Sequence, residues 1–402
     1  MFLVIWGLFG YTQPGDTNVY AGMNTFIAQF SDYWEQQYES SKNGFRTSQG
    51  CVDLSGWYQL YELKAEAEFN KRFSMRYRFN MLRNYDDTIT EHRFEPTMMV
   101  IPSLYTHLVI TPYYKKNYNE AGAGISFRQE DRNWLAFYCL AQRFDHGFSL
   151  MYTKPGPDRD LFRRIPLKFE IDARGELEWL RARFHGELGT KANQYLDWPD
   201  SMQYVWDKIY DRSRAWGRLE LRPFNGFWAG TRFEARLERE ETTWPGKNLV
   251  TFDTLRYLWL EPFVSFWPTA RLELRGAYRF WDVSRKMDSV TYYSDYDILS
   301  TLLSWQATDF LLFEAGYQQS KRTRYNNDTT ILEPWKGPPG YIQRRLLFAL
   351  ELRLKSGMML SIKEGIEMNN FPVETFQHPH NHTYVSLYMP LSLLSKDEYG
   401  KD

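Results

Sequence analysis

The residues of this chain that could do chemistry are ionic, and they recur two positions apart. With large apolar side chains kept in phase, Glu62, Lys64, Glu66, Glu68, Arg76, Arg78, Lys168 and Glu170 fall on the opposite face of successive extended segments. Arg181, Arg183, Arg218, Glu220, Arg222, Arg232, Glu234, Arg236, Arg271, Glu273, Arg275, Arg279, Glu351 and Arg353 continue the pattern. Such a face can screen and conduct hydrated polar solutes, or it can pair Arg with Glu across strands and only hold a fold together. Arginine outnumbers glutamate on several central segments, which favours anions or acidic sugars over cations.

Other candidates are local. His378, His380 and His382 form H-x-H-x-H within FQHPHNH, and on an extended chain three imidazoles then point the same way, near enough for a transition metal. Pro379 disrupts regular pairing and the motif holds no carboxylate, so a solvated loop is the competing reading. Tyr195, Trp198, Tyr204, Trp206, Tyr210, Trp244, Tyr292, Tyr293 and Trp335 could stack on sugar rings or form an interfacial girdle. The chain has no G-x-S-x-G, H-E-x-x-H, Walker or C-x-x-C pattern. A Ser/His pair using His107, His146 or His185 is the remaining hydrolytic alternative. The expectation is a non-enzyme with no cofactor.

The elements that must position these charges alternate with period two. In YELKAEAEF, Tyr61, Leu63, Ala65, Ala67 and Phe69 share one face, and Glu62, Lys64, Glu66 and Glu68 the other. After Asn70-Lys71-Arg72, FSMRYRFNM repeats the alternation with Arg76 and Arg78 on the polar side. Together they predict a hairpin that sets a Glu-rich face beside an Arg-rich one. The same alternation recurs over 165–171, 180–188, 227–237, 270–280 and 346–354.

The gaps between segments have their own rhythm. Short ones fall at 70–72, 102–103, 129–132, 173–176, 223–226, 267–269, 307–309 and 355–357, and long ones at 31–56, 84–91, 189–213, 240–252, 282–294, 322–342 and 368–382. The parity breaks once between residues 128 and 175, which places a missing break near Asp145-His146-Gly147 or Pro155-Gly156-Pro157. Met98–Ile101, Leu135–Ala141 and Phe310–Phe313 are apolar on both faces. Phe26, Phe30, Tyr33, Trp34 and Tyr38 recur at helix spacing, as do Val205, Ile209 and Ser213, and for both stretches helix and strand-plus-loop remain open.

Composition narrows the class. Over 402 residues, 49 Lys+Arg against 50 Asp+Glu leave a net charge of −1, so no basic excess points to nucleic acid. No run of about 20 apolar residues is present to make a membrane-spanning helix. Aromatics reach 18% of the chain. Cys51 and Cys139 are expected to be unpaired. Residues 1–16, MFLVIWGLFGYTQPGD, read as a truncated signal peptide or as a first buried strand.

A soluble β-sandwich also alternates, but its core favours volume-matched Val, Ile and Leu. Here the apolar face mixes large aromatics with Ala and Gly, and the polar face carries strong charges on strand after strand. Lipid outside and water inside explain both features at once. In YELKAEAEFNKRFSMRYRFNM, and in the rhythm of short turns and long loops, the chain resembles bacterial outer-membrane β-barrels of the porin type from about Gly56 to Leu394. It departs from them at its end, where TYVSLYMPLSLL is followed by the polar SKDEYGKD instead of closing on an aromatic residue.

The expected fold is all-β: a single antiparallel transmembrane barrel of about 16–18 strands over residues 17–394, with a polar tail at 395–402. The resemblance implies a place in the outer membrane of a Gram-negative bacterium, with the lipid bilayer and small polar or anionic solutes as partners. A saccharide or acidic-polysaccharide channel and a non-conducting docking barrel are the alternatives, and a homo-oligomer is left open.

Overall fold

The computed structural model describes residue 30 and residues 43–52, 56–84, 88–114, 118–129, 133–142, 160–196, 206–244, 248–288, 290–326, 342–354, 356–368 and 382–391. In chain order the strands are β1 Gly44–Val52, β2 Gly56–Asn70, β3 Phe73–Asn84, β4 Thr88–Ile101, β5 Leu104–Tyr114, β6 Tyr118–Gln129 and β7 Asn133–Gln142. They continue as β8 Asp160–Arg164, β9 Leu167–Glu176, β10 Leu180–Gly189, β11 Ala192–Leu196, β12 Trp206–Phe224, β13 Phe227–Trp244 and β14 Leu249–Thr269. The last are β15 Leu272–Met287, β16 Val290–Thr308, β17 Leu311–Asn326, β18 Ile342–Arg353, β19 Met359–Glu367 and β20 His382–Pro390.

These twenty segments make an eighteen-stranded ring, because two strands are interrupted side by side. β8 continues into β9 across Ile165-Pro166, where proline has no N–H for the ladder. β10 continues into β11 across Thr190-Lys191. The Thr190 side chain fills part of the gap, its Oγ1 accepting the Leu167 N–H at 2.9 Å. β1 closes the ring on β20 over their full lengths, from Gly44 opposite Pro390 to Val52 opposite His382. Every pairing is antiparallel, and such a ring closes only on an even number of strands.

The two mouths differ. Lys71-Arg72, Pro102-Ser103, Asn225-Gly226, Ala270-Arg271 and Asp309-Phe310 make tight turns at one end. The connections 143–159, 197–205, 327–341 and 369–381 join strand ends at the other mouth and fall outside the described residues. The segment 143–159 supplies the missing parity change. The wall is uneven in height: β1 and β20 have 9 residues each, whereas β14 has 21. About 9–11 tilted residues are enough to cross a bilayer, and β12–β17, at 16–21 residues each, are longer than that.

Alternation sets the two surfaces. Phe69, Leu108, Phe137, Phe169, Leu258, Val264, Phe280, Leu303 and Phe348 are exposed on the outside of the ring. Glu62, Glu95, Glu170, Arg232, Glu261, Glu314 and Lys363 are buried on the inside. At the short-turn rim aromatics gather: Phe69 lies 5.4 Å from Phe73, Phe224 stacks on Phe227 at 4.9 Å, and Trp305 stacks on Phe313 at 6.1 Å. Exposed Trp179 and Phe310 belong to the same rim. The indole N–H edges of Trp179 and Trp305 favour such an interface, and the phenyl rings extend the apolar band beside them.

Several expectations need correction. The gap 31–56 contains a strand, β1, whose sequence GFRTSQGCV is too polar to show clear alternation. Residues 173–176 finish β9, and the turn is 177–179. Ile209 and Ser213 belong to strand β12, not to a helix; cross-strand pairing to β13 outweighs the local spacing. Strands also run into the gaps 84–91, 189–213, 240–252 and 282–294. Of the other helical candidate, Phe26, Phe30, Tyr33, Trp34 and Tyr38, only Phe30 is described.

Candidate functional site

Register carries one inner-wall row of like charge across four neighbouring strands. Arg174 of β9 stands opposite Arg183 of β10, Arg183 opposite Arg218 of β12, and Arg218 opposite Arg232 of β13. The row then meets Glu261 of β14, opposite Arg232. Like charges directly across a sheet repel, so local pairing preference does not explain this row.

Its two ends differ. Glu261 anchors the far end: Arg279 Nε donates to it at 2.8 Å, and Arg232 and Arg275 approach it at 3.6 Å and 3.5 Å. One carboxylate thus faces three guanidinium groups. The Phe263 ring supports Arg218, Arg232 and Arg275, whose guanidinium carbons lie 5.5, 5.3 and 4.7 Å from its centroid. The near end is more open. Arg174 keeps 35% side-chain exposure and Arg218 24%, against 4% for Arg232. Arg218 donates to Glu220 at 2.5 Å, and Arg183 lies 5.6 Å above Trp216.

The wall from β3 to β10 holds a denser ionic cluster. Arg76 lies between Glu66 and Glu95 in register, at 3.5 Å and 3.9 Å. Arg93 reaches Glu95 at 3.7 Å and Glu170 at 3.6 Å. Lys168 Nζ bridges Glu120 and Glu170, each at 2.8 Å. Val109, Ala136, Tyr138 and Leu140 form an apolar patch inside the ring, and the Tyr138 hydroxyl donates to Glu95 at 3.1 Å. His185 is held between Asp172 at 2.6 Å and Glu187 at 2.9 Å, stacked on Trp216. Both ring nitrogens face carboxylates, which is satisfied when both carry hydrogen.

His107 has the connectivity of a nucleophile relay. Its Nε2 lies 2.7 Å from Ser126 Oγ and its Nδ1 2.9 Å from Glu95 Oε1. Ser126 is 1% exposed and its strand is paired on both sides, so substrate access and a free oxyanion donor are both lacking there. The relay reads as part of the buried network that holds Glu95.

The expected residues occupy varied places. Glu66, Arg76, Arg181, Arg218, Arg232, Glu234, Arg236, Arg275, Arg279 and Glu351 each make an ion pair or hydrogen bond. Arg78 stands in register between Lys64 and Arg93. Arg222 lies 5.7 Å from the Trp228 ring, and Glu273 is buried. Glu68 and Arg353 end exposed at the short-turn rim. Arg271 is no strand residue: it sits in the turn before β15, 58% exposed, 3.5 Å from Asp309 of the next turn.

Sequence reasoning missed Arg174, Glu261, Arg93, Glu95 and Tyr138. Arg174 falls in the expected gap 173–176, although Asp172, Arg174 and Glu176 keep the phase of Lys168 and Glu170. Glu261 is a lone charge within the apolar LWLEPFVSF. Among the described residues no three His, Cys, Asp or Glu side chains are placed to hold a metal. His378 and His380 lie outside the described residues, and His382 opens β20, buried.

No protein-family description matches this chain, and no curated protein does. Among solved structures it is similar to a loop L8 deletion mutant of OmpT, an outer membrane protein of Vibrio cholerae, at 11% identity and TM-score 0.39, covering 86% of this chain and 97% of that one. Acinetobacter baumannii OccAB3 aligns at 11% identity and TM-score 0.43, covering 86% and 97%. Pseudomonas aeruginosa OpdQ aligns at 9% identity and TM-score 0.45, covering 86% and 96%. Similarity this distant leaves the reading of the chain to its own geometry.

Proposed function

We propose that this chain is an outer-membrane channel that passes small anionic or polar solutes along its inner wall. The observation that carries the reading is the row Arg174–Arg183–Arg218–Arg232, four guanidinium groups directly opposed on neighbouring strands. A fold that only needed internal pairing would alternate sign across this row. Held side by side, the arginines lower the energy of an anion passing them. The apolar exterior and the aromatic short-turn rim support a seat in a bilayer, and residues 1–16 acting as a secretory leader belong to the same proposal.

The test is a planar-bilayer recording of the refolded protein under a KCl gradient. A reversal potential displaced toward the chloride equilibrium supports the reading; no current, or cation preference, overturns it. A second reading rests on the inner aromatics Trp216, Trp259 and Trp281, which flank the arginines and could carry acidic sugars. Block of the current by an acidic oligosaccharide at concentrations where a neutral one has no effect selects it.

A further inference from the structure

Phe30 is the one described residue before Asn43, and it is 1% exposed. Its ring lies 5.5 Å from Lys363 Nζ, and the same ammonium lies 5.9 Å from the Tyr384 ring. Lys363 and Tyr384 are register partners on β19 and β20, both on the inner face and both almost fully buried. Glu351 of β18 balances the ammonium from 3.5 Å. Across from Tyr384 on β1 stands Gly50, and Gly365 follows Lys363 on the same face; neither has a side chain to fill the space. The site is therefore an ammonium and a phenol ring with room for one more aromatic ring. That arrangement favours a ring face over the cation.

The place of the site in the ring matters. Counted around the barrel, β10 is the ninth strand and β20 the eighteenth. Phe30 thus stands on the wall opposite Arg183. Phe30 precedes Gly44, at the short-turn end of β1, by fourteen positions.

We propose that Phe30 is a tethered occupant of the lumen: it fills an aromatic-binding site formed by Lys363 and Tyr384, and so narrows the passage across from the arginine row. The narrowing rests on the channel reading; the occupancy does not. The site takes aromatic rings by cation–π contact, and the chain supplies its own.

Two readouts test this in the full-length protein. In the wild type, Lys363 should react with a charged amine-directed acylating reagent about tenfold slower than Lys71 in the exposed turn, the scale of a desolvated cation–π contact. Phe30→Ala should remove most of that protection, and Phe30→Tyr should keep it. Separately, Phe30→Ala should raise single-channel conductance while keeping the heat-modifiable gel band of a folded barrel. Lys363 labelling that is unchanged by Phe30→Ala overturns the occupancy. Protection lost in Phe30→Ala with conductance unchanged overturns the narrowing. A folded wild-type protein that carries no current refutes the channel reading, and the labelling still decides where Phe30 sits.

Discussion

Arg93 of β4 and Glu170 of β9 lie 3.6 Å apart, although β5, β6 and β7 separate them along the wall. On a flat sheet four strand spacings amount to about 19 Å, more than the two side chains can span. The wall is folded inward here, and β6 makes the fold with Gly122 and Gly124 on its inner face. A Cβ on Gly124 would meet Phe137 O at 2.6 Å and Tyr138 Cε1 at 2.9 Å. One on Gly122 would meet Leu140 Cα at 2.8 Å, as well as the Cys139 carbonyl.

Replacing either glycine with alanine should therefore open the fold. Both replacements meet backbone, which cannot swing away: Gly122→Ala the Cys139 carbonyl and Leu140 Cα, Gly124→Ala the Phe137 carbonyl, and each is expected to cost about 1–3 kcal/mol. Urea unfolding in lipid vesicles measures both. Equal stability of all three proteins would contradict the close approach.

Glu170 faces both Arg93 and Lys168 and has no exposure to water. Glu170→Ala leaves two buried cations short of one carboxylate, and a loss of about 3–5 kcal/mol is expected. The double variant Arg93→Met with Glu170→Met should lose less than the sum of the singles, because it removes both charges together. A double-mutant cycle with additive terms would show that the bridge is not made.

Arg183 and Arg218 sit at the open end of the arginine row. Arg183→Gln with Arg218→Gln should lower the anion-to-cation permeability ratio with little change in unfolding. Glu261→Gln acts in the opposite direction on charge but leaves Arg232, Arg275 and Arg279 without their common carboxylate, so stability should fall. Reversal potentials and unfolding midpoints, measured on the same preparations, separate the two effects.

Cys139 is unpaired and exposed on the outer face of β7, level with Phe169 of β9. In vesicles of the Cys51→Ser variant it should react with an apolar maleimide and resist a charged, membrane-impermeant one. Equal reaction with both reagents means that this face meets water, and the bilayer seat fails with it.

Side-chain facing was legible because it depends only on the period of an extended chain. Tyr61 to Phe69 and Phe73 to Met81 assign a polar and an apolar face, and the register pairs Glu62 with Asn80, Lys64 with Arg78 and Glu66 with Arg76. Tight turns were legible from their breakers, as at Asn225-Gly226, where Gly226 adopts a φ of 80°. β1 was not, since a short polar strand draws its stability from the neighbours on both sides and shows little pattern of its own.

What the chain determined by itself was the two-faced character of its alternating strands and their antiparallel order, since both follow from local alternation and short connections. Register and curvature were decided by tertiary structure. The alignment of Arg174, Arg183, Arg218 and Arg232 spans residues far apart in sequence, and a two-residue slip on any one strand keeps the same face inward while dissolving the row. The approach of Arg93 to Glu170 depends on the bend at Gly122 and Gly124, and the seat of Phe30 on the closure of β20 against β1. Such positions are set by backbone pairing over the whole circumference, which no local pattern encodes.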